Sequence, residues 1–135
     1  MAVVAPVPGS LTTGTSVSVL SGTAGEALTE GQVLYNSGGS LYKADNSTAA
    51  KATAVGVAIA PAASGKPVFY VGAVNMELIT GGTFVQNTWY VVGSTAGTIE
   101  LYSDMGSGEY LTWLGYGNSD GNLVWKNIVT GTTKP

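Results

Sequence analysis

The chain contains no cysteine, no histidine and no arginine, and its five lysines are its only cationic side chains. Without cysteine and histidine it cannot form a disulfide, a Ser-His-Asp or Cys-His triad, a haem ligand set or a structural zinc site. Eight carboxylates against five lysines give a net charge of -3, so the basic surface that binds nucleic acid is absent. These absences predict a protein without cofactor, metal or nucleic-acid partner.

Charge of either sign is also scarce, at 10% of the 135 residues, against about 25% in an ordinary soluble domain. Ser, Thr and Gly take its place, with 12, 16 and 20 residues respectively. The surface is therefore expected to be mostly neutral and polar. A hydrophobic content of 44% is enough to build a core, which argues against a disordered chain.

Long apolar runs are missing too. The longest, residues 52–63, is interrupted by Thr53, Gly56 and Pro61 and is shorter than the ~20 residues that a spanning helix needs. The N-terminus has neither the basic start nor the sustained apolar stretch of a signal peptide. We therefore expect a soluble, non-secreted protein with no membrane partner.

What is present falls into two parts. Residues 1–22 carry no charge and include Pro6, Pro8, Gly9 and Gly14, which favour an extended segment over a helix. We interpret this segment as an N-terminal arm that becomes ordered on another molecule. The alternatives are a disordered tail and a first edge strand of the domain.

Residues 23–135 have the pattern of a single β-domain. Strand-like runs rich in Val, Ile, Tyr and Trp are separated by turn residues, and no window has helical spacing of apolar residues. Two hairpins are predicted, around NSGG at residues 36–39 and around GSTA at residues 93–96, because glycine there allows the positive φ of a tight turn. The only candidate helical turn is residues 47–51.

The β-domain also repeats itself. The motifs GEAL, LYKAD and VGV, at residues 25–28, 41–45 and 55–57, match GTFV, LYSD and LGY, at residues 82–85, 101–104 and 114–116, in the same order. We infer two pseudo-repeats, about residues 23–79 and 80–135. Closed on each other, they would form a small β-barrel or β-sandwich with few exposed edges.

Each candidate catalytic motif in the sequence has a better structural explanation. Residues 117–121 match the G-x-S-x-G elbow of serine hydrolases, but a hairpin turn is favoured because the histidine base is missing. Paired carboxylates could serve as the acid and base of a glycosidase. One candidate pair is Glu26 with Glu30, and the other is Glu100 with either Asp104 or Glu109. Glu100 alternates with apolar neighbours, which predicts a place on the solvated face. We therefore expect no enzymatic activity.

Aromatic residues leave two possibilities open. Trp89, Trp113 and Trp125, with seven tyrosines, could form a stacking platform for sugars. Packing in the core or in a subunit interface is the usual fate of such residues and is the favoured interpretation.

The order of several loose motifs resembles that of the capsid decoration proteins of tailed bacteriophages, which are also called cement proteins. The resemblance covers about residues 22–135. Its motifs are AGEAL at 24–28, GQVLY at 31–35, LYKAD at 41–45, AVGVA at 54–58, GKPV at 65–68, WYVV at 89–92 and LG at 114–115.

The resemblance implies a structural virion protein on the capsid exterior, assembled in the host cytoplasm. It implies binding to the major capsid protein of an expanded phage capsid and clamping of neighbouring capsid subunits, often as a homotrimer. From the content of the uncharged arm we hypothesise that six of its residues contact the capsid or an adjacent subunit. They are Val3, Val4, Pro6, Val7, Pro8 and Leu11.

The same β-unit occurs in phage head fibres and tail-associated proteins. The alternative function is therefore a fibre or tail module that binds host-surface carbohydrate. The Trp and Tyr content and the Asn and Asp of the loops favour it.

Overall fold

The computed structural model describes residues 3–4, 12–13, 19–72, 74–79 and 84–135. Within these ranges the chain consists of strands and one short 3₁₀ helix, η1 (Tyr102–Asp104), and contains no α-helix. The strands are β1 (Val3–Val4), β2 (Thr12–Thr13), β3 (Leu20–Ala24), β4 (Val33–Ser37), β5 (Ser40–Lys43), β6 (Ala54–Ala58), β7 (Pro67–Val71), β8 (Glu77–Ile79), β9 (Trp89–Val92), β10 (Ile99–Leu101), β11 (Tyr110–Gly117) and β12 (Leu123–Thr133).

Five strands close into a barrel in the order β3-β5-β4-β6-β7. The pairing of β3 with β5 is parallel, and the other strand pairs of the barrel are antiparallel. Because β3 pairs with both β5 and β7, it closes the barrel. The seven remaining strands form a second sheet in the order β1-β10-β9-β11-β12-β8-β2. The predicted all-β fold is confirmed, with the barrel as its closed part and a curled sheet as its second part.

The two parts repeat one topology. In the barrel, β5, β4, β6 and β7 are consecutive neighbours, and in the second sheet β10, β9, β11 and β12 follow the same order with the same antiparallel pairing. In each part a hairpin is followed by a strand that pairs with the first strand of the hairpin. The two parts differ in how the outer strands are paired. In the barrel, β3 pairs with both β5 and β7. In the second sheet its counterpart β8 pairs with β12 and β2, and β10 pairs with β1 at the other edge.

Turn chemistry explains where the strands end. Gly38 and Gly39, between β4 and β5, have φ values of 61° and 90°, a left-handed conformation that glycine adopts without strain. The first predicted hairpin is therefore confirmed, and the second is found as β9 and β10. The predicted helical turn at residues 47–51 is a turn in which the backbone N–H of Ala52 donates to the carbonyl of Thr48 at 3.0 Å, as in an α-helix, and the chain does not continue as a helix.

One hydrophobic cluster extends across both parts and holds them together. Val33 and Val57 of the barrel belong to it, as do Ile99, Leu114 and Trp125 of the second sheet, all 0% exposed. A smaller cluster around Leu34 and Leu41 fills the barrel itself. Backbone hydrogen bonds add to this contact, because the N–H of Val33 donates to Gly97 and the N–H of Gly97 donates to Ala44, at 3.0 and 2.7 Å.

Candidate binding surfaces

Four aromatic rings lie side by side on the second sheet, and we call this surface the aromatic face. Tyr102 stacks on Trp113 with ring centroids 4.8 Å apart and ring planes 30° from parallel. Trp113 meets Trp89 at 5.9 Å and 78°, and Trp89 meets Tyr116 at 5.2 Å. Trp89 is 38% exposed, so the face is open to solvent although its rings contact one another.

An irregularity in β11 assembles this face. Trp113 and Tyr116 are three positions apart, which places them on opposite faces of a regular strand. The ladder between β11 and β9 changes register between Trp113 and Gly115, with the result that Tyr116 lies directly opposite Trp89. A bulge of this kind brings both side chains to one side of the sheet.

Each end of the aromatic face carries a lysine. The Nζ of Lys134 lies 4.3 Å from the ring centroid of Tyr102, and the Nζ of Lys126 lies 5.9 Å from that of Tyr116. Ammonium groups at these distances are attracted by the negative face of the ring. Lys134 also donates to the carbonyls of Tyr102 and Met105, at 2.9 Å each, so its charge is held at the edge of the face.

A groove of about 350 Å³ runs beside the rings and has a polar rim. Trp89, Trp113 and Tyr102 supply its aromatic lining together with Leu101. Three neutral polar residues complete it: Asn87, Thr88 and Ser103. We call this site the mixed groove, to distinguish it from a neighbouring apolar groove of about 260 Å³ that Trp89, Trp113 and Ile128 line.

Backbone hydrogen bonds hold the polar rim in place. Asn87 adopts a left-handed conformation with φ of 60°, and its N–H donates to the carbonyl of Gly117 at 3.0 Å. The N–H of Gly117 donates to Thr88 at 3.1 Å, and the N–H of Val85 donates to the Tyr90 hydroxyl at 2.8 Å. A left-handed asparagine is tolerated because its short side chain fits this conformation, and such strained positions cluster at functional sites.

A second exposed surface lies on the barrel and consists of Val19 and Phe69; we call it the barrel patch. Ser21 lies opposite Phe69 in the β3–β7 ladder, so Val19 and Phe69 are diagonal neighbours on one face of the sheet. Phe69 is 48% exposed and Val19 54%. The sequence PVFYV, at residues 67–71, did not predict this surface. When every residue of a strand is apolar, the sequence does not indicate which side chains point outward.

The hypothesised arm residues are placed in part. Val3 and Val4 pair with Glu100 and Ile99 at the edge of the second sheet, and Thr12 and Thr13 pair with Ile79 and Leu78 at its other edge. At these two places the chain forms edge strands of its own domain, one of the alternatives weighed above. The other hypothesised contacts, Pro6, Val7, Pro8 and Leu11, lie outside the described residues.

Glu100 is a correction to the sequence analysis, which placed it on the solvated face. It is fully buried, because residues that follow β5 cover the side of β10 away from the core. The side-chain amide of Asn46 donates to Oε1 of Glu100 at 3.4 Å and to the carbonyl of Val92 at 3.2 Å. Burial raises the pKa of the Glu100 carboxyl, and the carboxylates of Glu109 and Asp104 raise it further.

The G-x-S-x-G match is a hairpin turn, as predicted. The N–H groups of Asp120 and Asn122 both donate to the side-chain oxygen of Asn118 at 3.0 Å, and Gly121 has φ of 76°. Glu77 braces the turn from β8, since its Oε1 accepts from the amides of Asn118 and Asn122 at 2.9 and 2.8 Å. These hydrogen bonds hold the pKa of the Glu77 carboxyl below its usual value.

Among the remaining glycosidase candidates, Glu109 accepts from the backbone N–H of Gly106 at 2.6 Å, and Glu26 has two contacts with Lys43. Glu26 contacts Lys43 through an ion pair of 3.8 Å and accepts from its backbone N–H at 2.9 Å. In the parts of the chain given above, no group of three or more acidic side chains is placed to hold a metal ion.

The tryptophans fall into two groups, one packed in the core and one exposed as a possible stacking platform. Trp125 lies in the core, as the favoured interpretation expected, whereas Trp89 and Trp113 form the exposed aromatic face. The sequence offered one signal for this division, because Asn87 and Thr88 mark a turn just before Trp89.

The described residues include no helix long and apolar enough to cross a membrane. No protein-family model matches the chain, and no curated protein is significantly similar to it.

Proposed function

We propose that this chain is a structural virion protein that binds the outer surface of an expanded phage capsid and stabilises the shell by clamping neighbouring capsid subunits. One observation carries the proposal: the uncharged N-terminal segment leads directly into the barrel patch. Val19 belongs to the uncharged segment of residues 1–22 and is at the same time part of the exposed apolar surface. Contiguous exposed apolar surface on a folded protein is typical of an interaction site.

The pairing of β1 and β2 supports a role for the segment in binding by strand addition. Each ladder contains two residues, Val3–Val4 on β10 and Thr12–Thr13 on β8. Because such short ladders contribute few main-chain hydrogen bonds, a strand of the capsid protein can replace them as the partner of the segment. Strand addition uses main-chain groups and needs no particular side chain, which suits a segment of Val, Thr, Ser, Gly and Pro.

The scarcity of charge supports self-association as well. Closed homo-oligomers bury neutral and apolar surface, and a trimer matches a local threefold position of a capsid lattice. Several weak contacts per oligomer then give strong attachment through high effective concentration. Analytical ultracentrifugation of the full chain tests this element, and a purely monomeric protein at high concentration contradicts it.

The decisive experiment titrates the protein onto expanded capsids that lack it and measures occupancy by co-sedimentation. Phe69→Ser and a deletion of residues 1–14 are both expected to reduce occupancy. Val85→Ser is the matched control, because Val85 is also apolar and 62% exposed but lies in the connection between β8 and β9, away from the barrel strands. Full occupancy by both test variants, with their melting temperatures unchanged, would sink the proposal.

Copy number separates this proposal from the alternative of a fibre or tail-associated module. A decoration protein co-sediments with DNA-filled heads, stripped of tails and fibres, at a number close to that of the capsid protein. A fibre or tail module is present in few copies and leaves with the stripped parts.

A further inference from the structure

We infer that the mixed groove is a binding site for a neutral carbohydrate. The inference goes beyond capsid attachment and does not depend on it. It rests on the lining of the groove, its charge, its size and the way its rim is held.

The lining combines two kinds of contact. Trp89, Trp113 and Tyr102 provide ring faces and edges, and Asn87 and Ser103 provide an amide and a hydroxyl. Within the described part of the chain, neither of these two polar side chains has an intramolecular hydrogen bond. A pyranose ring has the matching pattern, since its C–H face packs on aromatic rings while its hydroxyls form hydrogen bonds at the edge.

The charge of the site argues for a neutral ligand. Among the residues that the structure describes, no lysine, aspartate or glutamate lines the groove. Lys134, at the Tyr102 end of the aromatic face, is engaged by the carbonyls of Tyr102 and Met105 and by the Tyr102 ring. An ionised ligand would lose water here without gaining a counter-charge, which is unfavourable.

The size of the groove argues for a small ligand over a protein. Its volume of about 350 Å³ lies within the range of about 300–1,000 Å³ that is typical of small-molecule sites. A stable protein partner would need roughly 1,200–2,000 Å² of total buried surface, far more than one groove supplies. The described residues that line the flanking apolar groove are Trp89, Trp113 and Ile128, and they do not offer the polar groups of the mixed groove.

The rim is held before any ligand arrives. Asn87 keeps its left-handed backbone through the hydrogen bond to Gly117, and Thr88 accepts from the N–H of the same glycine. A preorganised site loses less conformational entropy on binding, which favours affinity for a small polar ligand.

The test is isothermal titration calorimetry of the full chain with soluble neutral hexasaccharides: cellohexaose, maltohexaose, mannohexaose and N-acetylchitohexaose. Sialyllactose serves as the charged comparison. We expect saturable binding of at least one neutral probe and none of sialyllactose. Absence of binding by all four neutral probes at millimolar concentration, or preferential binding of sialyllactose, would overturn the inference.

Variants locate the site. Trp89→Ala is expected to weaken binding by about tenfold or more, the loss that one aromatic stacking contact causes. Asn87→Gly removes the amide but keeps the positive φ, so it tests the rim without disturbing the fold, and it is also expected to weaken binding. Ile128→Ser is the control and is expected to bind as the wild type does. Equal loss in the control, or no loss in Asn87→Gly and Trp89→Ala, would place the ligand outside the mixed groove and refute the assignment.

Discussion

Gly56 of the barrel and Gly115 of the second sheet occupy equivalent positions in the two repeats, and neither position has room for a side chain. A Cβ at Gly56 would lie 2.5 Å from the carbonyl oxygen of Val71. A Cβ at Gly115 would lie even closer to the carbonyl oxygen of Val124. Both glycines therefore allow the same close approach, between β6 and β7 in one half and between β11 and β12 in the other.

Alanine at either glycine is expected to destabilise the fold. The added methyl group meets a backbone carbonyl, which cannot move aside as a flexible side chain would, so the loss should be about 1–3 kcal/mol. Urea denaturation measures it. Gly106→Ala is the control, because its Cβ would meet only the end of Glu109 at 3.3 Å, and it should change stability by less than about 0.5 kcal/mol. Equal effects at all three positions would contradict the packing argument.

Glu100 should make the protein less stable as the pH rises. Burial, followed by the carboxylates of Glu109 and Asp104, raises the pKa of Glu100 in the folded state above its value in the unfolded chain. The stability that this proton provides is complete below the unfolded-state pKa and is lost as the pH rises through the folded-state pKa. Glu100→Gln should therefore be about 1–2 kcal/mol more stable than the wild type at neutral pH.

The two chains should converge in stability at acidic pH, where Glu100 is protonated in both states. Melting temperatures of the wild type and Glu100→Gln, measured from pH 3 to pH 8, test this dependence. A constant difference across the range would show that the carboxyl does not titrate as inferred.

Glu77 should have the opposite effect. Hydrogen bonds from Asn122 and then Asn118 hold its pKa below the usual value, so the stability that it contributes is present above the unfolded-state pKa. That stability is lost as the pH falls through the folded-state pKa. Glu77→Gln should lower stability at neutral pH by about 1 kcal/mol or less, since Glu77 is partly exposed. Melting temperatures of Glu77→Gln over the same pH range measure this loss of stability. A variant more stable than the wild type would contradict the role of Glu77 in bracing the turn.

Tryptophan fluorescence should report the division between core and surface. Trp89 is 38% exposed and Trp125 is 0% exposed, so acrylamide should quench mainly Trp89. Trp89→Phe is expected to reduce the Stern–Volmer constant markedly, whereas Trp125→Phe should leave the quenchable component in place. Unchanged quenching in Trp89→Phe would argue against an exposed aromatic face.

The hairpins and the repeat could be predicted because local chemistry dictates them. Gly38 and Gly39 occupy left-handed backbone that other residues avoid, so the turn is visible in the sequence. The repeat is visible because each half must solve the same packing problem, as Gly56 and Gly115 illustrate.

The candidate sites were less accessible to prediction. Alternation along β10 assigned Glu100 to a face of the sheet but gave no information on what covers that face, and the prediction of a solvated carboxylate was wrong. The same limit applies to Trp89 and Trp125, which both stand in strand-like runs of the sequence but lie on the surface and in the core respectively.

The sequence by itself determined the all-β class, the hairpins and the duplicated unit, since these follow from residue types and from neighbours along the chain. Only the tertiary structure decided that one repeat closes into a barrel through β3 while the other remains a curled sheet. It also decided that Trp89, Trp113 and Tyr102 meet beside Asn87 and Ser103. The physical reason is that these arrangements depend on pairing between residues far apart in the chain, whose register local propensity does not specify.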